Sequence, residues 1–129
     1  PETWFFIAFL SAFIFSRFML ICCILCFPSA RAEGLGVTVK RYVSKPALIW
    51  GIGLLLVVFA LTGFAPILIA FLLSFLVILG LSAQINKFLH GLTGDIYGAM
   101  AELGEAVFLL ILLIVVAVFN NFGFSLILF

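Results

Sequence analysis

Charge is scarce in this sequence. Only 9% of the 129 residues are charged, six of them Lys or Arg and five Asp or Glu, and the formal net charge is +1. So few charges could not keep a water-soluble protein of this length hydrated. The near-neutral balance, without a row of basic residues, also gives no surface that could follow a phosphate backbone, so we expect no nucleic-acid partner.

Apolar residues fill the sequence instead. Hydrophobic residues make up 67% of it, 17 of them Phe, and the mean hydropathy is +1.51. This exceeds what a soluble core could bury, and the helix is the element that satisfies its own backbone in lipid. We therefore predict an all-α integral membrane protein in contact with lipid. Cys22, Cys23 and Cys26 lie in one apolar run without the flanking context of a zinc or redox pair, so we expect buried, unpaired thiols.

The apolar runs predict a bundle of about four transmembrane helices, and residues 1–129 form one membrane domain. A span needs about 20 apolar residues. The predicted spans are residues 4–27, 47–61, 67–81 and 95–119. A turn around Gly63 and Pro66 would join the second and third into a helical hairpin. The chain begins with Pro1 rather than Met and has no cationic stretch before its first apolar run, so we expect part of a larger bundle and no signal peptide.

Two polar loops, residues 28–46 and 82–94, separate these spans. The first carries four of the six basic residues, namely Arg31, Lys40, Arg41 and Lys45. Counting the crossings places both loops on the same side of the membrane, and the positive-inside rule makes that side cytoplasmic. The two polar regions could therefore cooperate.

The segment 87–105 concentrates the residues that could do chemistry. It holds the only Asp, the only His and two of the four Glu, together with Gly91, Gly94 and Gly98. Thr93 and Asp95 lie where the last helix should begin, and a helix N-terminus offers unpaired N–H groups to an anion such as phosphate. Asp95 could instead bind Mg²⁺, or either residue could simply cap the helix. His90 has no visible catalytic partner, so we expect a loop residue.

One face of the last helix should carry carboxylates and small residues. Asp95, Ala99, Glu102 and Ala106 follow the spacing of a single face at 3.6 residues per turn. Glu102 and its neighbour Glu105 either flank the membrane or dip below the headgroups to face a polar cavity, in which case they would be functional.

Arg17 interrupts the first span near its middle. A guanidinium there requires an anion, and its fork of donors suits a carboxylate such as that of Glu102 or a substrate phosphate.

Three segments together resemble one protein family. They are the pair Ser16-Arg17 within a span, the loop Ala30-Arg31-Ala32-Glu33-Gly34-Leu35-Gly36, and the run Gly91-Leu92-Thr93-Gly94-Asp95-Ile96-Tyr97-Gly98-Ala99, which Glu102, Leu103 and Glu105 follow. This pattern is similar to the C-terminal half of cobalamin synthase, the adenosylcobinamide-GDP ribazoletransferase. The resemblance implies a bacterial or archaeal cytoplasmic membrane enzyme that joins adenosylcobinamide-GDP to α-ribazole, or its phosphate, and releases GMP with help from Mg²⁺.

The resemblance also implies roles for individual residues. Asp95 and Arg17 would be catalytic, and Asp95 with Glu102 would bind the metal. The expected substrate- and phosphate-binding residues are Arg31, Gly34, Gly36, Gly91, Thr93, Gly94 and Gly98. The family's N-terminal half, with its own Asp-rich motif, has no counterpart in this sequence, so we expect the missing half, or another chain, to complete the site and this chain alone to be inactive. Family members commonly have glycine where His90 stands.

Two other classes of function fit the same residues. In a small transporter or channel subunit, Arg17, Asp95 and Glu102 would line an ion path. In a non-catalytic membrane scaffold, Gly98, Ala99 and Ala106 would pack against a partner helix. A transporter would be expected to have symmetry between its halves, which the sequence lacks, and a scaffold would tolerate Asp95→Asn.

Overall fold

The described part of the chain folds into α-helices that pack side by side. The structure, a computed structural model, describes residues 2–30, 33–43, 45–62 and 65–121. Its helices are α1 (Glu2–Cys26), α2 (Leu35–Tyr42), α3 (Lys45–Thr62), α4 (Ala65–Leu89) and α5 (Gly94–Asn121). No β-strand occurs among these residues, which agrees with the predicted all-α fold.

Three of the helices are long and apolar enough to cross a bilayer. They are the segments Thr3–Cys26, Ala65–Leu89 and Gly94–Asn121, with mean hydropathies of 2.3 to 2.6. α3 has 18 residues and does not qualify alone, and α2 and α3 are a bent pair that counts as a fourth span if the two helices cross as one and as a re-entrant loop if they do not. The expectation of about four transmembrane helices is thereby confirmed as three or four.

The helices meet at an aromatic core. α1 packs most extensively against α5, which also packs against α4. Phe15 of α1 is fully buried, with its ring centroid 5.2 Å from the rings of both Phe71 on α4 and Phe108 on α5. Gly104 of α5 lies opposite Phe15, where a Cβ would be in ordinary van der Waals contact with the ring at 3.5 Å. This packing fixes how α1 and α5 are rotated relative to each other.

The polar loops are shorter than the sequence predicts. Within residues 28–46, α2 forms from Leu35, and within 82–94 the chain stays helical to Leu89. Polarity alone does not end a helix, and Ser82 turns its side chain inward, where Cys23 Sγ lies 3.3 Å from Ser82 Oγ. The predicted turn at Gly63 lies outside the described residues, and Pro66 belongs to the first turn of α4, where its missing N–H costs nothing.

The cysteines mostly follow expectation. All three are free thiols, and Cys22 and Cys23 are buried, but Cys26 is exposed because it lies in the last turn of α1, where the chain leaves the bundle.

Candidate functional site

Two backbone hydrogen bonds join the polar loops. The Ala30 N–H donates to the Leu92 carbonyl at 3.0 Å, and the Leu92 N–H donates to the Pro28 carbonyl at 2.8 Å. Together they make a short parallel bridge between Ser29 and Leu92. The segment after α1 and the turn before α5 therefore lie side by side, as required if both loops emerge on the same side of the membrane.

Gly91 makes this close approach possible. Its φ is +146°, and a Cβ built there would lie 2.5 Å from Ala30 N, 2.6 Å from Ala30 Cα and 2.7 Å from Ser29 C. All three neighbours are backbone atoms, which cannot swing aside as a flexible side chain could. Only glycine fits.

Thr93 caps α5. The Tyr97 N–H donates to the Thr93 carbonyl at 3.0 Å, and Thr93 Oγ1 accepts a long hydrogen bond of 3.4 Å from the Ile96 N–H. Thr93 thus performs the capping that the sequence left open between Thr93 and Asp95. The Asp95 carboxylate is exposed and makes no hydrogen bond to a described residue, so it can contact a ligand.

A polar cleft of about 190 Å³ lies where the two loops meet. Its lining residues are Ser29, Glu33, Gly34, Gly36, Val37, Thr93, Gly94 and Asp95. The start of α5 borders this cleft, and the first N–H groups of a helix attract anions. Five of the predicted site residues, Gly34, Gly36, Thr93, Gly94 and Asp95, therefore come together here.

An apolar cleft of about 300 Å³ adjoins the polar one. Its lining residues are Leu20, Ile24, Gly36, Val39, Gly94, Asp95, Tyr97 and Gly98. Gly36, Gly94 and Asp95 belong to both clefts. At this shared edge α2 and α5 nearly touch, because a Cβ at Gly36 would lie 3.2 Å from Gly94 N.

Two acidic residues, Asp95 and Glu33, line the polar cleft. Mg²⁺ typically uses one or two carboxylates and completes its shell with water and substrate phosphates, so these residues fit a magnesium–phosphate ligand. No group of three or more His, Cys, Asp or Glu side chains that could hold a metal unaided occurs among the described residues. Glu102, the second predicted metal ligand, lines neither cleft.

Arg17 lies apart from both clefts. Its side chain is exposed, with the guanidinium carbon 5.9 Å from the centroid of the Phe13 ring, and it lines neither cleft. Of the two partners that the sequence left open, a carboxylate such as that of Glu102 or a substrate phosphate, the ion pair with Glu102 does not occur between the described residues. The physical reason is helix rotation, since Ser16 takes the position that faces α5. Arg17 lies one turn before Leu20, on the side of α1 that leads to the apolar cleft.

Glu105 is the acidic residue that α1 contacts. Ser16 Oγ donates to Glu105 Oε1 at 2.8 Å, and Ser16 is fully buried while Glu105 is half-buried. The stripe predicted on α5 is confirmed as one face and is exposed throughout; its members are Asp95, Ala99, Glu102 and Ala106. α5 continues to Asn121, so the apolar run after Glu105 is part of a 28-residue helix.

The remaining predicted residues lie outside the clefts or outside the described part of the chain. Arg31 lies outside the described residues. His90 is exposed in the turn and lines neither cleft, as expected of a loop residue. Its backbone φ of 55° is unusual for a residue other than glycine. Lys40, expected only to set topology, donates from Nζ to the Phe27 carbonyl at 2.6 Å and ties α2 to the end of α1.

Sequence reasoning did not single out Ser29, Glu33 and Tyr97 as site residues. Glu33 lies beside Gly34 in the polar loop, and its proximity to Asp95 follows only from the pairing of the loops. Tyr97 carried a signal, because a tyrosine within an apolar span places a hydroxyl group where few partners exist. It is 3% exposed, and its hydroxyl has no hydrogen-bond partner among the described residues.

Comparison with known proteins identifies the family of this chain. The family model for cobalamin-5-phosphate synthase matches residues 1–113. A relative from Desulfitobacterium hafniense (strain Y51), named adenosylcobinamide-GDP ribazoletransferase, is 37% identical over 99 residues, which is 75% of this chain and 39% of the relative. No solved structure matches the chain. Because the family model matches most of its length, the chain belongs to the cobalamin-5-phosphate synthase family.

Proposed function

We propose that this chain supplies part of the active site of a membrane transferase of cobalamin biosynthesis. The enzyme would join adenosylcobinamide-GDP to α-ribazole, or to its phosphate, and release GMP. The observation that carries the proposal is the polar cleft, where Asp95 and Glu33 meet the start of α5. The chain spans 39% of the relative named for this reaction, so the complete protein would contribute further residues.

The reaction transfers a phosphoryl-type group between two oxygen atoms. A hydroxyl oxygen of the ribose attacks the phosphorus that bears the cobinamide, the bond from that phosphorus to the GMP oxygen breaks, and the hydroxyl loses its proton. Such chemistry depends on holding the reacting groups in line and on neutralising charge on the phosphate oxygens. Glycine-lined backbone and carboxylates that can hold a metal ion are suitable groups for both tasks.

Different residues of the polar cleft would bind the phosphate oxygens and neutralise their charge. The N–H groups at the start of α5, around Gly94, would bind phosphate oxygens. Asp95 and Glu33 would hold Mg²⁺, which when bound neutralises phosphate charge and fixes the diphosphate in place. The predicted alternative for the metal, Asp95 with Glu102, requires the ion to lie further along α5 and outside the polar cleft. Arg17 and Arg31 remain predicted phosphate clamps.

Further helices are part of this proposal. Arg17 and Glu102 are both exposed, and both lie within helices long and apolar enough to cross the membrane. Charges facing lipid at that depth cost several kcal/mol, so such residues face protein or water instead. We expect the rest of the transferase, or another chain, to cover the exposed faces of α1 and α5, and the site to face the cytoplasm.

The complete transferase provides the test. Mg²⁺-dependent release of GMP from the nucleotide-activated corrinoid is measured for the wild type and for Asp95→Asn, Glu33→Gln and Glu102→Gln. Loss of one preorganised electrostatic group should lower kcat by roughly 100-fold or more. We expect that loss for Asp95→Asn and Glu33→Gln, whereas a loss confined to Asp95→Asn and Glu102→Gln would identify the alternative metal pair.

A matched control removes charge at the same membrane surface without touching the clefts. Lys87 is exposed in the last turn of α4 and lines neither cleft, so Lys87→Gln should leave GMP release unchanged. Full activity of Asp95→Asn would exclude Asp95 as a ligand of the metal or the phosphates, and absence of Mg²⁺-dependent GMP release from the wild type would exclude the transferase proposal and favour the scaffold, which needs no carboxylate.

A further inference from the structure

The side chains that line the apolar cleft limit how polar its ligand can be. Leu20 and Ile24 of α1 and Val39 of α2 form its apolar walls, and Gly98 of α5 contributes no side chain. Few lining groups can satisfy the donors and acceptors of a polar ring. Burying an unpaired polar group costs about 1–3 kcal/mol, so a ring system with several such groups is disfavoured here.

The volume of the apolar cleft limits the size of the ligand that it can bind. Ligand pockets span roughly 300–1,000 Å³, and this cleft, at about 300 Å³, lies at the lower limit. It suits a fused bicyclic ring and is too small for a corrin macrocycle. Guanine has the right size but carries more donors and acceptors than Asp95, the one charged residue of the lining, can pair. An aromatic base with few polar atoms satisfies both conditions.

The junction of the two clefts determines what is attached to that base. Gly36, Gly94 and Asp95 border both clefts, so a ligand in the apolar cleft continues directly into the polar one. A polar group bonded to the base would lie beside the Asp95 carboxylate. A nucleoside with an apolar base and a hydroxylated sugar fits this arrangement, with the base in the apolar cleft and the sugar at the edge of the polar cleft.

We propose that the apolar cleft binds the weakly polar, fused-ring base of the acceptor nucleoside, α-ribazole, with its ribose at the Gly94–Asp95 junction. This assignment rests on the proposed function and adds the location of the acceptor. The ribose hydroxyls then face the polar cleft, where the diphosphate would be held. Tyr97 also lines this cleft, and its buried hydroxyl group has no hydrogen-bond partner among the described residues.

Gly98 allows a direct test of this assignment. Gly98 lines the cleft and a Cβ built there meets no atom within 4 Å, so a side chain can be attached at this position, and the bulk of a leucine should occupy part of the cleft. Gly80 of α4 is also exposed, helical and free of neighbours within 4 Å, and it lines neither cleft. Gly98→Leu and Gly80→Leu thus make the same chemical change, one inside the cleft and one outside it.

The measurement is binding of α-ribazole to the complete transferase in lipid nanodiscs by equilibrium dialysis, with GMP as the comparison ligand and with wild type and each variant compared in that protein. We expect Gly98→Leu to weaken α-ribazole binding at least tenfold and Gly80→Leu to change it less than twofold. Val39→Phe, which fills the cleft from α2, should weaken binding as well and guards against a folding defect specific to Gly98→Leu. GMP binding should be insensitive to both cleft-filling variants.

Several results would overturn the assignment. These are no saturable α-ribazole binding to the wild-type transferase, equal binding by Gly98→Leu and wild type, or a loss of GMP binding in place of α-ribazole binding. Failure of the proposed function has a different signature, because it would appear as the absence of Mg²⁺-dependent GMP release from the complete transferase. Neither result implies the other.

Discussion

Replacing Gly91 by alanine should separate the two loops that form the polar cleft. The alanine Cβ would lie within 2.7 Å of three backbone atoms of Ser29 and Ala30, so the bridge cannot persist as it is. An alanine in this region of positive φ is also strained by about 1–3 kcal/mol. The chain relieves both problems by moving residues 28–30 away from the turn.

The energetic cost of that movement comes from the hydrogen bonds it breaks and the apolar surface it exposes. The bridge contains two hydrogen bonds, each worth about 1 kcal/mol net. Leu92 is fully buried at the bridge, and exposing a leucine side chain costs a further 1.5–3 kcal/mol or so. The free energy that holds the loops together should thus fall by at least about 2 kcal/mol, which raises the population of the open state roughly 30-fold.

Hydrogen–deuterium exchange in nanodiscs measures this opening at the two amides concerned. The N–H groups of Ala30 and Leu92 donate the bridge hydrogen bonds, so both should exchange roughly 30 times faster in Gly91→Ala. Gly80→Ala is the control, because a Cβ there meets nothing within 4 Å and the helix gains a better helix former. Unchanged protection of both amides in Gly91→Ala would refute the claim that this glycine maintains the bridge.

Three further predictions concern topology and stability. With the native cysteines replaced, single cysteines at Lys40 and Lys87 should react with an impermeant maleimide from the same side of the membrane, and labelling from opposite sides would contradict the loop pairing. His90→Gly should raise the melting temperature in detergent, because left-handed φ costs a non-glycine residue about 1–2 kcal/mol, whereas His90→Val should lower it. Ser16→Ala should destabilise the protein by about 1–3 kcal/mol, because it leaves the Glu105 carboxylate without its hydrogen-bond donor. Adding Glu105→Leu to this variant should recover most of the lost stability. If the two substitutions instead destabilise the protein additively, the contact between Ser16 and Glu105 is not supported.

The sequence predicted the class of fold well, because membrane spans follow from composition alone. It predicted helix ends less well. Residues 82–89 include several polar side chains but are helical. The Ser82 side chain turns into the bundle, where its hydroxyl group lies within hydrogen-bonding distance of Cys23 Sγ. α2 was missed for a related reason, because eight residues of mixed polarity give no strong pattern of their own.

Within the site, glycines and charged residues differed in how predictable they were. Gly91 and Gly94 act through the backbone, so their roles follow from local spacing and need no knowledge of how the helices are rotated. Arg17 and Glu102 act through long side chains, and the direction of each depends on helix rotation. That rotation is fixed by the packing of Phe15 and the hydrogen bond from Ser16 to Glu105, which sequence spacing does not reveal.

The same distinction explains why Glu33 was not identified beforehand. Glu33 and Asp95 become neighbours only when α1 and α5 pack together and the Ser29–Leu92 bridge forms, so their pairing is a product of the tertiary fold. A cleft bordered mainly by backbone and short side chains has few flexible groups to order when a ligand binds, which lowers the entropic cost of binding. Its acidic residues can therefore be positioned by the bridge itself, and a change that opens the bridge should impair the site even when every acidic side chain is retained.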